Sequence, residues 1–179
     1  MSKNVLVISS SLRNVSNSEM LADEFLKGAK EAGHNAEKLS LAGKTINFCI
    51  GCLSCQKTHK CVIDDDSREI NEKMLNAYII AFATPVYYYS VCGQLKTLLD
   101  RANPLYPLEY KFRDIYLLAT AAEDETETVK GTETAIQGWV DCFEKAELKK
   151  TIFAGGVDKP GEIKEHSALK EAYEAGKQS

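Results

Sequence analysis

The chain has 179 residues, of which 44% are hydrophobic and 27% are charged, and its formal net charge is −4. This length suits one domain with a sizeable core, so we expect residues 1–179 to form a single domain. The negative charge and the scattered lysines argue against nucleic-acid binding. No apolar stretch approaches the roughly 20 residues of a membrane helix, and no secretion signal opens the sequence. We therefore expect a cytoplasmic protein.

Strand-like and helix-like segments alternate along the chain. Strands are predicted at residues 5–8, 36–41, 78–83, 115–119 and 151–154, the third ending at Thr84-Pro85. Apolar residues at helical spacing predict helices between them, with capping boxes at Ser16/Glu19 and Asp66/Glu69 and a cap at Ser90. This alternation predicts an α/β fold: a doubly wound, five-stranded parallel sheet in a three-layer α/β/α arrangement. Ligands of such folds bind beyond the carboxyl ends of the strands.

The loop after the first predicted strand is rich in hydroxyl groups. Residues 9–18 contain five serines, two asparagines and one arginine, directly before a helix N-terminus. Hydroxyls, free N–H groups and the helix dipole favour an anion there. Neither GxxxxGK[ST] nor GxGxxG is present, so a monophosphate is favoured over a nucleoside triphosphate or a Rossmann-type dinucleotide. The alternative is a turn that only caps its helix.

The loop after the third predicted strand carries three consecutive tyrosines, Tyr87, Tyr88 and Tyr89. Flat rings with a polar tip suit stacking against a planar heterocycle. The alternative is that these tyrosines belong to the core or to a subunit interface. Because both loops follow central strands, they are expected to meet at the switch point of the sheet.

These two loops resemble the flavodoxin-like NAD(P)H-dependent FMN reductase family. Residues 10–18 resemble its GSxR-x-x-SN[ST] loop, with Ser10 in place of the glycine, and residues 84–87 with Gln94-Leu95-Lys96 and Asp100-Arg101 resemble its TPxY...LK...DR block. The resemblance implies strand order 2-1-3-4-5, bound FMN and hydride transfer from NAD(P)H. It further implies a small electron acceptor of flavin, quinone or azo type, and a homodimer or homotetramer. No side chain is expected to be catalytic, because the cofactor carries the chemistry.

The resemblance also implies which residues bind the cofactor. The phosphate side comprises Ser9, Ser11, Arg13, Ser16, Asn17 and Ser18, and the ribityl and ring side comprises Thr84, Pro85, Val86, Tyr87, Tyr88 and Ser90. The acidic segment at residues 123–127 departs from the small glycine-rich loop of many relatives, and a solvated loop is expected there.

Four of the six cysteines are clustered, with the spacing C-x2-C-x2-C-x5-C at Cys49, Cys52, Cys55 and Cys61. This spacing is typical of [4Fe–4S] ligation, and it resembles the iron–sulfur flavoproteins, which implies an electron carrier with a ferredoxin-like partner. Zinc is a weaker alternative. The remaining alternatives are reduced or redox-labile thiols, including a metal or redox sensor without turnover. The other two, Cys92 and Cys142, are predicted to be buried in helices.

Overall fold

The computed structural model describes residues 2–179, in which strands and helices alternate. The strands are β1 (Asn4–Ser9), β2 (Asn35–Ser40), β3 (Ile79–Tyr87), β4 (Ser90–Val91), β5 (Asp114–Thr120) and β6 (Glu147–Ala154). The helices are α1 (Asn17–Glu31), α2 (Cys55–Thr58), α3 (Ser67–Asn76), α4 (Gly93–Arg101), α5 (Lys130–Val140) and α6 (Ser167–Gln178). Short 3₁₀ turns lie at Asn103–Leu105, Thr126–Val129 and Glu162–Glu165. None of the helices within residues 2–179 is long and apolar enough to cross a membrane.

The five long strands form a parallel sheet in the order β2-β1-β3-β5-β6. When only these long strands are counted, this is the order 2-1-3-4-5 that the family resemblance implies, and helices cover both faces. The sixth strand, β4, pairs antiparallel with the end of β3 and was not predicted. Two layers of core confirm the arrangement: Leu6 and Ile8 of β1 face the α3, α4 and α5 side, whereas Val5 and Val7 face α1 and α6.

The prediction that the third strand stops at Thr84-Pro85 is wrong. Strand β3 continues to Tyr87, and Pro85 pairs with Thr120 of β5. On the opposite edge of β3, the pairing between β3 and β1 ends where Ser9 of β1 lies opposite Ala83 of β3. Beyond that point β3 has one parallel neighbour only, and a proline without an N–H is tolerated at such an edge.

The predicted caps also differ from the observed contacts. Ser16 precedes α1, but its Oγ lies 3.1 Å from Ser18 Oγ and makes no capping bond. Asp66 precedes α3 and accepts from the Thr45 N–H at 2.7 Å. Ser90 lies in β4, two residues before Cys92 at the start of α4. The side chains bond to tertiary partners that their local spacing does not reveal.

Helices α1 and α6 approach each other closely through two glycines. A Cβ at Gly28 would overlap with the Tyr173 carbonyl oxygen, and one at Gly176 would overlap with the Phe25 carbonyl oxygen. Each glycine therefore lets its helix rest against the backbone of the other, which fixes α6 against the helix that follows the serine-rich loop.

We expect Gly28→Ala to lower the free energy of unfolding by about 1–3 kcal/mol, because the added methyl forces the helices apart. Gly138→Ala is the matched control: it lies in α5 with open space around it. Alanine at this position reduces the backbone freedom of the unfolded chain, so the free energy of unfolding should stay unchanged or rise by about 0.5–1 kcal/mol. Urea denaturation measures both, and equal responses of the two variants would contradict close packing.

Candidate cofactor site

A cavity of about 570 Å³ lies at the carboxyl ends of the central strands. It is lined from the serine-rich loop by Ser11, Arg13, Ser16 and Asn17, and from the tyrosine loop by Pro85, Val86, Tyr87 and Tyr88. The loops after β5 and β6 complete it with Thr120, Ala121, Ala122, Val157, Asp158 and Pro160. Eight of the twelve predicted cofactor residues thus line one cavity, and the two loops meet as the sheet topology predicts.

The other four predicted residues do not line this cavity. Ser9 and Ser18 are completely buried, and Ser9 Oγ has no hydrogen-bond partner among residues 2–179. Thr84 is also buried, and its hydroxyl donates to the Pro85 carbonyl at 2.9 Å. Ser90 pairs with Tyr87 across the hairpin.

The serine-rich loop is tied to the loop after β6, which sequence reasoning did not assign to the site. Arg13 Nη1 donates to the Asp158 carbonyl at 2.9 Å. The Asn17 amide donates to Val157 O at 3.3 Å and to Lys159 O at 3.0 Å. These contacts span more than a hundred residues, so no local pattern signals them, although the Gly155-Gly156 turn marks the end of the last strand.

The donors at this end of the cavity suit a phosphate. No side chain caps the first turn of α1, which leaves its N–H groups and the positive end of a fifteen-residue helix directed at the cavity. The Ser11 and Ser16 hydroxyls add further donors, whereas the two side-chain amide hydrogens of Asn17 are taken by the Val157 and Lys159 carbonyls. The residues present therefore fit the phosphate end of FMN.

The tyrosine loop is a two-residue hairpin between Tyr87 and Ser90. Its central residues, Tyr88 and Tyr89, have φ values of 49° and 60°. Such turns usually use glycine or asparagine, and tyrosine there stores about 1–3 kcal/mol of strain per residue. Tyr88 is fully exposed at the cavity mouth. The backbone strain thus places an aromatic ring where a ligand can reach it.

Two contacts hold this hairpin in place. The Tyr89 hydroxyl donates to Glu123 at 3.0 Å, and this hydrogen bond raises the pKa of Tyr89. The Tyr89 carbonyl lies where a Cβ at position 131 would be, so only glycine fits at Gly131. Glu123 also accepts from the Thr128 hydroxyl at 3.1 Å. Residues 123–127 are all exposed, as the solvated loop predicted from the sequence requires, and the first of them also holds the tyrosine hairpin.

The four clustered cysteines are not brought together. Cys49 and Cys52 are exposed, Cys55 is buried, and Cys61 is half-buried. The Cys55 sulfur accepts from the Asn103 amide at 3.2 Å. Throughout residues 2–179, no three His, Cys, Asp or Glu side chains lie close enough to hold a metal ion. The cysteines in this arrangement do not fit a [4Fe–4S] cluster.

The remaining thiols differ from one another in environment. Hydrogen bonds from the Ser54 backbone N–H and hydroxyl lower the pKa of the Cys52 thiol. Cys92 is buried as predicted, and its sulfur lies 3.2 Å from Ser10 Oγ. The prediction that Cys142 is buried is wrong: it is exposed, because α5 ends at Val140 before reaching it.

A buried ion pair fixes both ends of the cysteine loop, which we define as residues 47–65. Arg101 and Asp65 have side chains that are 0% and 2% exposed and lie 2.7 Å apart. Arg101 also donates to the Asn47 carbonyl at 2.6 Å and to the Cys61 sulfur at 3.3 Å. Burial alone would raise the pKa of Asp65, but hydrogen bonds from Arg101, Asn47 and Ser67 outweigh it and hold that pKa well below its usual range.

The profile of the NADPH-dependent FMN reductase family matches residues 3–131. This region contains both the serine-rich loop and the tyrosine hairpin. The chain therefore belongs to the NADPH-dependent FMN reductase family.

Individual relatives are of two kinds. An iron-sulfur flavoprotein of Methanocaldococcus jannaschii is 45% identical over 56% of this chain and 52% of its own length. The chain thus spans about half the length of this relative and of several like it. YwqN of Bacillus subtilis, provisionally named an NAD(P)H-dependent FMN-containing oxidoreductase, is 26% identical over 98% of this chain and 97% of its own length.

Solved structures share the fold over the whole chain. An NAD(P)H:quinone oxidoreductase from Methanothermobacter marburgensis superposes with a TM-score of 0.80 at 20% identity, covering 99% of this chain and 96% of its own. An azoreductase from Bacillus anthracis gives a TM-score of 0.73 at 16% identity, with both chains fully covered.

We expect Asp65→Asn to lower the free energy of unfolding at pH 7 by about 3–5 kcal/mol, because it leaves the Arg101 charge buried and unpaired. Since folding depresses the pKa of Asp65, its contribution is complete above the unfolded value of about 3.9 and is lost as the pH falls further. The difference between the variant and the wild type should therefore shrink below about pH 4. Denaturation at a series of pH values measures it.

The control for this prediction is Asp64→Asn, which removes an 82% exposed carboxylate paired with Arg68. An exposed pair of this kind contributes about 0–1 kcal/mol. If both variants lost the same free energy of unfolding, the buried Asp65–Arg101 pair would contribute no more to stability than the exposed Asp64–Arg68 pair.

Proposed function

We propose that this chain is an FMN-dependent NAD(P)H oxidoreductase and that residues 1–179 form one FMN-binding domain. One observation carries the proposal: a single cavity has phosphate-type donors at one end and an exposed, strained tyrosine hairpin at the other. Membership of the FMN reductase family supports FMN as cofactor and NAD(P)H as co-substrate. When bound, FMN supplies the chemistry, taking up a hydride from the nicotinamide and passing electrons to an acceptor.

In this proposal the chain's own residues bind and orient the cofactor. Ser11 and Ser16 donate to the phosphate through their hydroxyls and Asn17 through its backbone N–H in the first turn of α1, and Arg13 supplies positive charge. The segment Pro85–Tyr88 flanks the ribityl chain and the ring. The buried residues Ser9, Ser18 and Thr84 and the half-buried Ser90 support these two loops without lining the cavity.

A small, flat electron acceptor of flavin, quinone or azo type fits the open end of the cavity. Tyr88 presents a fully exposed ring there, and aromatic faces stack on planar rings. The quinone and azo substrates that the names of the two solved structures indicate are of this shape.

We also propose a homodimer or homotetramer and a cytoplasmic location. Large apolar side chains at Leu12, Phe48 and Ile50 are more than half exposed, which favours an association surface. All six cysteines are free thiols in the structure, as in a reducing compartment.

A second candidate function is an iron–sulfur electron carrier that works with a ferredoxin-like partner. The cysteine spacing favours it, as do several relatives named iron-sulfur flavoproteins. The arrangement in the structure opposes it, because no three of these cysteines lie close enough together within residues 2–179 to hold a metal ion. Cluster binding would require the cysteine loop to rearrange.

The double variant Arg13→Ala/Ser16→Ala should raise the Kd for FMN by about 10–100-fold, since it removes donors to a charged phosphate. Its Kd for riboflavin, which lacks the phosphate, should stay within about twofold of the wild type. Quenching of flavin fluorescence measures both constants. Leu12→Ala is the matched control, because Leu12 belongs to the same loop but lies outside the cavity.

The protein loaded with FMN should also oxidise NADH or NADPH when a benzoquinone is supplied as acceptor. Failure to bind FMN would reject the proposed function. If the double variant bound riboflavin and FMN equally more weakly than the wild type, only the assignment of Arg13 and Ser16 to the phosphate would be rejected.

Anaerobic reconstitution with iron and sulfide tests the second function. A cluster on this loop predicts bound iron and sulfide that are lost in Cys52→Ser and retained in Cys142→Ser, an exposed cysteine outside the loop. A protein without iron, or with iron unaffected by Cys52→Ser, would eliminate the electron-carrier function.

A further inference from the structure

Glu162 lies in the segment after β6, outside the residues 3–131 that the family profile matches. Its Oε2 atom accepts from the backbone N–H groups of Asp158 and Lys159, each at 2.9 Å. These hydrogen bonds, the one from Lys159 first, lower the pKa of Glu162, so its carboxylate is negatively charged at neutral pH. One charged acceptor thus holds two successive backbone N–H groups.

The same two peptide units contact the serine-rich loop through their carbonyls. The Val157 carbonyl, which shares a peptide unit with the Asp158 N–H, accepts from the Asn17 amide at 3.3 Å. The Asp158 carbonyl, which shares a peptide unit with the Lys159 N–H, accepts from Arg13 at 2.9 Å. No peptide bond within residues 2–179 is cis, and the N–H and C=O of a trans peptide point in opposite directions. Each peptide therefore lies between the carboxylate and a donor of the serine-rich loop.

This arrangement fixes the position of the Arg13 guanidinium. The peptide between Asp158 and Lys159 has a positive donor at its carbonyl and a negative acceptor at its N–H, and charge at both ends strengthens both hydrogen bonds. The contact uses Arg13 Nη1, which leaves the other N–H groups of this side chain for the cavity that it lines. If this peptide turned, Arg13 would lose the contact that orients it.

Glu162 is placed by the residue that follows it. Ile163 is completely buried, and its backbone N–H donates to Asn17 Oδ1 at 3.3 Å. The Glu162 side chain itself belongs to an exposed residue, so its truncation removes no core packing. What such a variant loses is two hydrogen bonds and one negative charge.

We propose that Glu162 is a positioning residue for the phosphate end of the cofactor cavity, holding the two peptides that direct Arg13 toward the phosphate. This inference rests on the proposed function, because it takes FMN as the ligand. Positioning and simple charge have effects of opposite sign. A carboxylate near a phosphate repels it, so removing the Glu162 charge alone would tighten binding, whereas losing the positioning contact weakens it.

Glu162→Ala should raise the Kd for FMN by about 3–10-fold, and its Kd for riboflavin, which lacks the phosphate, should stay within about twofold of the wild type. Glu162→Gln keeps an oxygen that can accept from both N–H groups, so its Kd for FMN should not exceed that of the wild type. In an Arg13→Ala background, Glu162→Ala should not raise the Kd further. Quenching of flavin fluorescence measures each constant.

Glu165→Ala is the matched control. It removes an exposed carboxylate from the same 3₁₀ turn, and this carboxylate accepts neither of the two hydrogen bonds. Its Kd for FMN should equal that of the wild type.

The inference is wrong if Glu162→Ala binds FMN as tightly as the wild type, if it weakens riboflavin and FMN equally, or if Glu162→Gln binds as weakly as Glu162→Ala. In each of these cases the wild type still binds FMN, so the proposed function stands. A wild type that binds no FMN would reject the proposed function and this inference with it.

Hydrogen exchange provides a measurement that needs no flavin. The amide hydrogens of Asp158 and Lys159 should exchange with solvent more slowly in the wild type than in Glu162→Ala, because only the wild type holds them in hydrogen bonds to the carboxylate. Equal exchange in the two proteins would also overturn the inference.

Discussion

The buried guanidinium of Arg101 is the interaction on which the placement of the cysteine loop depends. It pairs with Asp65 and also bonds to the Asn47 and Ile63 carbonyls, so a single side chain at the end of α4 joins the start of the loop to its end. A buried charge is costly unless all of these partners are present. The base of the loop therefore has one favourable arrangement, while its tip, with Cys49 and Cys52, stays exposed.

The cofactor cavity depends on a different constraint, the common direction of the central strands. Because β1, β3, β5 and β6 are parallel, the loops that follow them lie at one edge of the sheet. Each loop contributes something distinct: donors from the first, aromatic rings from the second, and backbone carbonyls from the last that hold Arg13 and Asn17. The loop after β5 contributes through Glu123, whose carboxylate fixes the tyrosine hairpin.

The parallel strands could be predicted from sequence because burial on both faces requires continuous apolar runs, such as residues 5–8 and 115–119. The meeting of the serine-rich loop and the tyrosine loop could be predicted because both follow central strands of a parallel sheet. The end of β3 could not be predicted, because a strand can contain Pro85 only where β1 no longer pairs with it, and the sequence does not show where that pairing ends. Two tyrosines at positive φ give no turn signal, and the bond between Arg13 and Asp158 joins residues far apart in the chain. The cysteine spacing indicates a cluster, whereas no three of these cysteines lie close enough together within residues 2–179 to hold a metal ion.

The glycine contacts between α1 and α6 bear on how relatives of this chain can diverge. The family match ends at residue 131, yet the helix that follows the serine-rich loop rests on α6 through Gly28 and Gly176. Its first residue, Asn17, is held by carbonyls of the segment after β6. In the proposed function, substitutions at residues 132–179 can therefore change the affinity for FMN while every motif residue stays the same. Comparisons limited to the motif region would miss the source of such a difference.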